Sequence, residues 1–314
     1  MGETFKFGVN IPMTFRDSYQ KMLNIAKMCD SLGFDSFWIP DHFFFSPRFN
    51  AYLEAWTTQT ALAVSTERLR FGNIVLCNSY RHPPVLAKMA ATFDVITGGR
   101  LDFGIGAGWK EDEYVAYGID FPRASVRIKQ LREAVIIIKK MWTEDSPSYK
   151  GEYYTIKNAI CEPKPVQKPH PPILIGGSGE KLLLKVVAEL ADRCNFDFGI
   201  KRDMETYKRK IKVLNRYCRL FGRDPDEIEK TIAMQVVIAE DEEGVEAKIE
   251  KFKPADVKRE DYLKGNVVGT PEECVKRIQE YASLGFTYFV VNFPDMTNPE
   301  TLSLFAEKVI SKFR

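Results

Sequence analysis

The chain has 314 residues, 45% of them hydrophobic, and its 45 basic and 43 acidic residues leave a net charge of +2. Such a length allows two domains or one large α/β barrel, and the balanced charge gives no indication of nucleic acid or a membrane surface as a partner. No apolar run approaches the roughly 20 residues that cross a bilayer.

Hydrophobic periodicity predicts eight strands, each followed by at least one helix. The predicted strands are residues 5–10, 33–40, 69–77, 101–106, 173–175, 194–198, 231–239 and 287–292. The predicted helices are residues 19–32, 55–64, 84–97, 123–142, 181–190, 205–221, 242–252, 271–284 and 299–313. Thr270 is the expected N-cap of the helix at 271–284, with Glu273 at the capping-box position.

Regular strand–helix units without a linker predict a single domain over residues 1–314. Eight such units, joined by right-handed crossovers, favour a (β/α)8 TIM barrel with insertions, and a doubly wound open sheet is the alternative. The extra length is assigned to a hairpin at residues 149–154 and to a polar stretch before Lys264.

The cysteines predict a cellular location. All six are far apart and none forms a C-x-x-C pair, which disfavours a disulfide framework or a metal site and favours a reducing cytoplasm. Residues 5–9 are too short and interrupted for a secretory signal. We therefore expect a cytoplasmic protein without a bound metal.

An acid and an imidazole, Asp41 and His42, end the second predicted strand. An unpaired charge inside a buried strand is costly, whereas the carboxyl end of a strand opens into the crevice where α/β folds keep their chemistry. His42 is therefore the candidate catalytic residue. In the alternative reading, Asp41 caps the next turn and His42 is a satisfied structural histidine.

Two glycine-rich stretches also follow predicted strands. The loop Gly176, Gly177, Ser178 and Gly179 opens a helix, where free amides attract an anion, and it predicts a phosphate cradle. A tight strand-to-helix turn is the alternative. In residues 104–109 glycine recurs at alternate positions, which leaves room for a planar group beside Trp109 unless the glycines only serve core packing.

Two further features concern ligands and partners. Arg81, after the third strand, is a candidate anion contact. The aromatic run at residues 43–45 predicts either a pocket rim, which we favour, or a dimer surface. We expect a small-molecule substrate and a homodimer.

Taken together, these stretches resemble the luciferase-like flavin and deazaflavin oxidoreductases. The matching motifs are residues 33–43, 81–83, 98–109, 163–165 and 176–179, and the resemblance spans nearly the whole chain. It implies a TIM barrel with insertions. It is nearer to the branch that uses the deazaflavin coenzyme F420 than to the branch that uses FMN.

Several residue roles follow from the resemblance alone. It implies that Asp41 contacts the coenzyme and that His42 lies by the reacting carbon as base or orienting group. It also implies a non-prolyl cis peptide between Ile74 and Val75, behind the ring. The expected coenzyme-binding residues are Asp41, Ile74, Val75, Cys77, Ala107, Gly108, Trp109, Gly176, Gly177, Ser178 and Gly179.

The sequence departs from one branch of these enzymes, the sugar-phosphate dehydrogenases. That branch has carboxylates at the positions of Thr14 and Trp109 and a tryptophan near Ser46. Their absence argues against a sugar-phosphate or simple alcohol substrate and leaves His42 as the only evident proton-transfer group. We expect an F420-dependent oxidoreductase. An FMN-dependent monooxygenase and a non-catalytic flavin-binding relative are the alternatives.

Overall fold

The computed structural model describes residues 4–11, 18–45, 51–196 and 203–314. Its centre is a closed barrel of parallel strands surrounded by helices. The barrel strands are β1 (Lys6–Asn10), β2 (Ser36–Ile39), β3 (Arg70–Asn73), β4 (Leu101–Gly106), β5 (Ile173–Gly176), β6 (Arg193–Phe196), β7 (Glu229–Ile238) and β8 (Phe286–Asn292).

The barrel closes in chain order. Each barrel strand pairs in parallel with the next one along the chain. Strand β8 then pairs with β1, in a register that places Phe7 opposite Phe289. A doubly wound open sheet would leave two unpaired edges, so closure excludes that alternative and confirms the (β/α)8 TIM barrel.

The helices follow the predicted pattern with small shifts at their ends. They are α1 (Tyr19–Ser31), α2 (Ala55–Ala63), α3 (Pro83–Ile96), α4 (Glu111–Ala116), α5 (Ala124–Thr143), α6 (Leu183–Leu190), α7 (Met204–Leu220), α8 (Glu242–Phe252), α9 (Arg259–Gly265), α10 (Pro271–Ala282) and α11 (Pro299–Lys308). The capping box at the start of α10 is present, with Glu273 Oε2 accepting the Thr270 amide at 2.9 Å.

Helix α4, helix α9 and a short strand were not predicted. Helix α4 follows β4, helix α9 lies in the stretch that the sequence suggested was only polar, and the strand Val267–Gly269 pairs with the end of β7. Tyr262 is the buried residue of α9. One buried position gives no helical periodicity to detect, which is why the sequence pattern missed this helix.

The predicted hairpin insertion is present. Strands Tyr149–Lys150 and Thr155–Ile156 pair antiparallel. The hairpin is attached to α5 by Glu133, whose carboxylate accepts the amides of Glu152, Tyr153 and Tyr154 at 2.7, 3.0 and 3.0 Å. A buried carboxylate with three backbone donors fixes the turn against the barrel wall.

Charged residues fill the amino-terminal end of the barrel. Asp102, near the start of β4, is fully buried between Arg70 Nη2 at 2.6 Å and Arg193 Nη1 at 2.9 Å. Burial by itself raises the pKa of Asp102, but the two guanidinium groups outweigh it and hold the pKa at about 2. This cluster lies at the opposite end of the strands from the site below and has a structural role.

The third predicted strand is interrupted. It consists of β3 and a separate pair, Leu76–Cys77, that continues along β4. Between them the peptide bond that joins Ile74 to Val75 is cis, as the resemblance implied.

Two further observations concern the cysteines and the helices. All six cysteines are free and buried, in agreement with the absence of a disulfide framework. Across the described ranges, no helix has the length and apolarity to span a membrane.

Candidate active site

A cavity of about 450 Å³ opens at the carboxyl ends of the barrel strands. Parallel strands in a barrel direct their carboxyl ends to one rim, so segments distant in sequence meet there. His42 lines this cavity, as do all the residues expected to bind the coenzyme: Asp41, Ile74, Val75, Cys77, Ala107, Gly108, Trp109, Gly176, Gly177, Ser178 and Gly179. The expected coenzyme-binding residues thus share one rim with His42, while their binding roles stay predictions.

The imidazole of His42 is held by a buried carboxylate. Its Nδ1 lies 2.7 Å from Oε2 of Glu113, whose side chain is 0% exposed. Glu113 also accepts the amides of Phe43 and Phe44 at 2.5 and 3.1 Å and the hydroxyl of Tyr80 at 3.0 Å. Because an ionised carboxylate can only accept, Nδ1 carries the hydrogen and Nε2 remains for another partner.

The electrostatics of Glu113 favour its ionised form. Burial by itself raises the pKa of this carboxyl. The hydrogen bond and charge of His42, with the amides of Phe44 and Phe43, outweigh burial and bring the pKa below its ordinary value. Glu113 is therefore an anion at neutral pH and keeps the His42 ring in one orientation.

Asp41 lies in a second carboxylate cluster at the same rim. Its Oδ2 and Oδ1 accept from Arg81 Nη1 and Nη2 at 2.7 and 3.0 Å, and Oδ2 also accepts the Cys77 amide at 3.0 Å. Arg81 Nη2 is shared with Glu54, which caps the start of α2. The hypothesis that Arg81 contacts a ligand anion is therefore corrected, because the anions it contacts are the protein's own carboxylates.

The side chain of Val75 fills the space over two strand glycines. A Cβ at Gly106 would lie 2.7 Å from Val75 Cγ2, and one at Gly176 would lie 2.6 Å from Val75 Cγ1. At Gly104 a Cβ would lie 2.0 Å from the carbonyl oxygen of Asn73. Gly104 and Gly106 of β4 thus make room for the interrupted third strand. The hypothesis that these glycines leave room for a planar ligand is therefore wrong at both positions.

Gly108 is required by its surroundings. Its φ is +76°, and a Cβ there would lie 1.9 Å from the Tyr114 hydroxyl and 2.7 Å from Cys77 Sγ. That hydroxyl and thiol are 2.9 Å apart. Burial raises the pKa of the Cys77 thiol to about 12, so Cys77 is neutral and forms part of the cavity wall rather than a nucleophile.

The glycine loop after β5 combines a tight turn with an open position. Gly177 has φ +112°, its added Cβ would lie 2.5 Å from Leu183 Cδ2, and its amide donates to Asn195 O at 3.0 Å. At Gly179 the nearest atom to an added Cβ is Leu183 Cβ at 3.6 Å, which is ordinary contact. The turn therefore requires glycine at 177, while the site leaves room at 179.

The aromatic run at residues 43–45 divides between two environments. Phe43 stacks on Tyr80 and Tyr117 with ring centroids 4.5 and 4.1 Å apart. The ring of His42 meets those of Phe45 and Trp109 edge-on, each at 5.7 Å. Phe45 therefore lies beside the histidine at the rim, whereas Phe43 packs against aromatic neighbours.

A family model for luciferase-like monooxygenases matches residues 5–262. The chain belongs to the luciferase-like monooxygenase family. The match extends from β1 into α9 and therefore includes every segment that lines the cavity.

Curated relatives of this luciferase-like chain include enzymes named for two different coenzymes. An F420-dependent glucose-6-phosphate dehydrogenase from Microbacterium testaceum is 27% identical over 94% of this chain and 93% of its own length. An FMNH(2)-dependent dimethylsulfone monooxygenase from Pseudomonas putida is 25% identical over 76% of this chain and 73% of its own length.

A solved structure supports the fold assignment. The coenzyme F420 dependent tetrahydromethanopterin reductase from Methanopyrus kandleri superposes with a TM-score of 0.83 and covers 99% of this chain and 100% of that one, at 21% identity. At this identity the likeness concerns the fold.

Glu113 and Lys210 are among the residues of the luciferase-like site that sequence reasoning missed. Glu113 is the third residue of the unpredicted helix α4, and Lys210 of α7 lines the cavity beside the glycine loop. The signal for Glu113 was the acidic run of residues 111–113, which begins five positions after the end of β4. No sequence pattern indicated Lys210, because the residues of its helix have the pattern of an ordinary amphipathic surface helix.

Proposed function

We propose that this chain is a coenzyme F420-dependent oxidoreductase that moves a hydride between the deazaflavin and an organic substrate. The observation that carries the proposal is the cavity at the barrel rim, which is lined by His42, by Ile74 and Val75, and by the glycine loop. The similarity to an F420-dependent dehydrogenase along almost the whole of both chains supports the same coenzyme.

The lining fits a planar ring that carries a phosphorylated side chain. Ile74 and Val75 offer an apolar wall for the ring. In the glycine loop, the amides of Ser178 and Gly179 donate to no acceptor within the described ranges, and free amides of this kind bind anions. The coenzyme when bound supplies the hydride chemistry, while the protein binds, orients and excludes water.

Asp41 is the proposed polar contact to the coenzyme ring. Its carboxylate is held by Arg81 and by the Cys77 amide, so it is fixed in position rather than free to rotate. A fixed acceptor at the rim favours one orientation of a ring that carries N–H donors.

His42 is proposed to hold or transfer the proton that accompanies the hydride. With Nδ1 committed to Glu113, Nε2 is the nitrogen that accepts a proton from a substrate hydroxyl or orients the substrate. A positioned group of this kind contributes about 10²–10⁴ to the rate. Trp109 and Phe45, edge-on to the imidazole, limit the access of water.

The substrate is proposed to be neither a sugar phosphate nor a simple alcohol. The rim position where the sugar-phosphate branch has a carboxylate is occupied here by Trp109, which is 64% exposed. The other two positions of that comparison, Thr14 and Ser46, lie outside the described residues.

Coenzyme binding is the direct test. Purified protein is titrated with F420 and with FMN while tryptophan fluorescence is followed, and native mass spectrometry identifies any co-purified coenzyme. The proposal predicts tight binding of F420 and weaker binding of FMN. Tight binding of FMN alone would instead favour the FMN-dependent monooxygenase, to which the Pseudomonas putida relative points. If the protein binds a coenzyme but turns over no reductant, the result would favour the non-catalytic flavin-binding alternative.

We also propose that residues 1–314 form one domain and that the protein is a cytoplasmic homodimer. On the outer face of α3, Val85 and Ile96 are 56% and 53% exposed and supply apolar surface for self-association. Light scattering after size-exclusion chromatography measures the assembly, and calorimetry with a single unfolding transition is expected for one domain.

A further inference from the structure

We propose that Lys210 recognises the phosphate of the coenzyme, so that the protein selects a phosphorylated coenzyme over the phosphate-free parent. This inference rests on the proposed function for the choice of coenzyme. It concerns a residue of α7 that has no place in the sequence motifs. Lys210 lines the cavity together with Ser178, Gly179 and Asn195.

The ammonium of Lys210 is buried at the glycine loop. Its side chain is 9% exposed, and Nζ donates to the carbonyl oxygen of Ser178 at 2.6 Å. An ammonium has three donors, so this bond leaves others for a ligand in the cavity. Taking such a charge out of water is unfavourable unless an anion compensates it.

Among the described residues, the charge of Lys210 is compensated only in part. Glu180 Oε1 lies 3.8 Å from Lys210 Nζ and 3.0 Å from Arg209 Nε. One carboxylate therefore serves two cations, and the nearer of them is Arg209. The three side chains together keep a net positive charge beside the loop, which suits a phosphate group.

Backbone donors complete the anion site. The amide of Gly177 is used by Asn195 O, whereas those of Ser178 and Gly179 have no acceptor among the described residues. Two free amides and one ammonium at a strand-to-helix turn match the donors that phosphate oxygens accept.

A structural role is the competing explanation. Lys210 holds the loop through Ser178 O. Removing the Lys210 side chain therefore does not by itself separate recognition of the phosphate charge from support of the loop. Lys210→Gln keeps a donor for Ser178 O and removes the charge, whereas Lys210→Arg keeps the charge. Lys208→Gln, on the exposed face of the same helix, is the matched control.

The experiment compares two ligand pairs, F420 with its phosphate-free deazaflavin parent and FMN with riboflavin. Dissociation constants are measured by fluorescence. We expect Lys210→Gln to weaken binding of the phosphorylated member about 10- to 100-fold and of its partner less than about threefold. Lys210→Arg and Lys208→Gln should stay within about threefold of the wild type for both members. Equal losses for both members, or no loss, would overturn the proposal.

A second variant addresses the risk that Lys210→Gln does not fold. Glu180 is partly exposed, so Glu180→Gln should fold, and removing its negative charge should tighten binding of the phosphorylated member about twofold to fivefold without affecting its partner. Weaker or unchanged binding would count against Lys210. If wild-type protein binds FMN but not F420, the proposed function fails, while the FMN–riboflavin pair still tests Lys210.

Discussion

Glu113→Gln tests whether the buried carboxylate sets the proton position on His42. In the wild type, Glu113 accepts four hydrogen bonds, from His42, Phe43, Phe44 and Tyr80. A glutamine offers one accepting oxygen and one donating amide group. If the oxygen keeps the two backbone amides, the amide group must donate toward His42 Nδ1, and the ring hydrogen moves to Nε2.

The magnitude follows from these bonds. A hydrogen bond to a charged group contributes about 1.5–3 kcal/mol and a neutral one about 0.5–1.5 kcal/mol. Losing the charge at several such bonds lowers the free energy of unfolding by about 3 kcal/mol. With Nε2 protonated, His42 no longer accepts a proton, so turnover should fall about 10²- to 10⁴-fold while the dissociation constant of the coenzyme changes little.

Two measurements check this reasoning. Nitrogen-15 NMR reports which ring nitrogen of His42 carries the hydrogen, and the chain has only 3 histidines to assign. Steady-state kinetics reports turnover. Glu111→Gln, an exposed acid in the same helical turn, is the control and should behave as wild type. A Glu113→Gln protein with near-normal turnover and an unchanged tautomer would refute the positioning role.

The remaining predictions address the catalytic group, the anion loop and acid stability. His42→Ala should lower turnover about 10²- to 10⁴-fold with little change in coenzyme affinity, and near-native turnover would make His42 structural. Gly179→Asp should weaken F420 binding more than the matched Gly179→Asn, measured by fluorescence titration, because only Asp adds a repelling charge; equal effects would remove the loop from the site. Gly177→Asp is a poorer probe, since its φ of +112° and its contact with Leu183 strain any side chain. The pKa of Glu113 is lowered in the folded state. The stabilisation of the fold by its ionised carboxylate is therefore complete above the ordinary glutamate pKa of about 4.3, and it is lost as the pH falls through the lower folded value. Denaturant unfolding at several pH values should therefore show that the difference in the free energy of unfolding between wild type and Glu113→Gln shrinks below about pH 4.5. A difference that does not change with pH would contradict an ionised Glu113 carboxylate.

The sequence alone determined the barrel and much of its rim. Strand and helix periodicities are local properties of the chain, and α1, for example, buries Met22, Ile25, Ala26 and Cys29, which recur at helical spacing. Once eight parallel strands close, their carboxyl ends must share one rim, so a residue at a strand end such as His42 could be assigned to the site from its position in the chain.

Only the tertiary structure decided what those residues contact. His42 and Glu113 are 71 positions apart and Asp41 and Arg81 are 40 apart, and no local pattern pairs them. The same holds for Gly104, whose missing side chain leaves space for the Asn73 carbonyl of a neighbouring strand. Such contacts depend on the order and register of strands that are distant in sequence, and periodicity within one element carries no information about them.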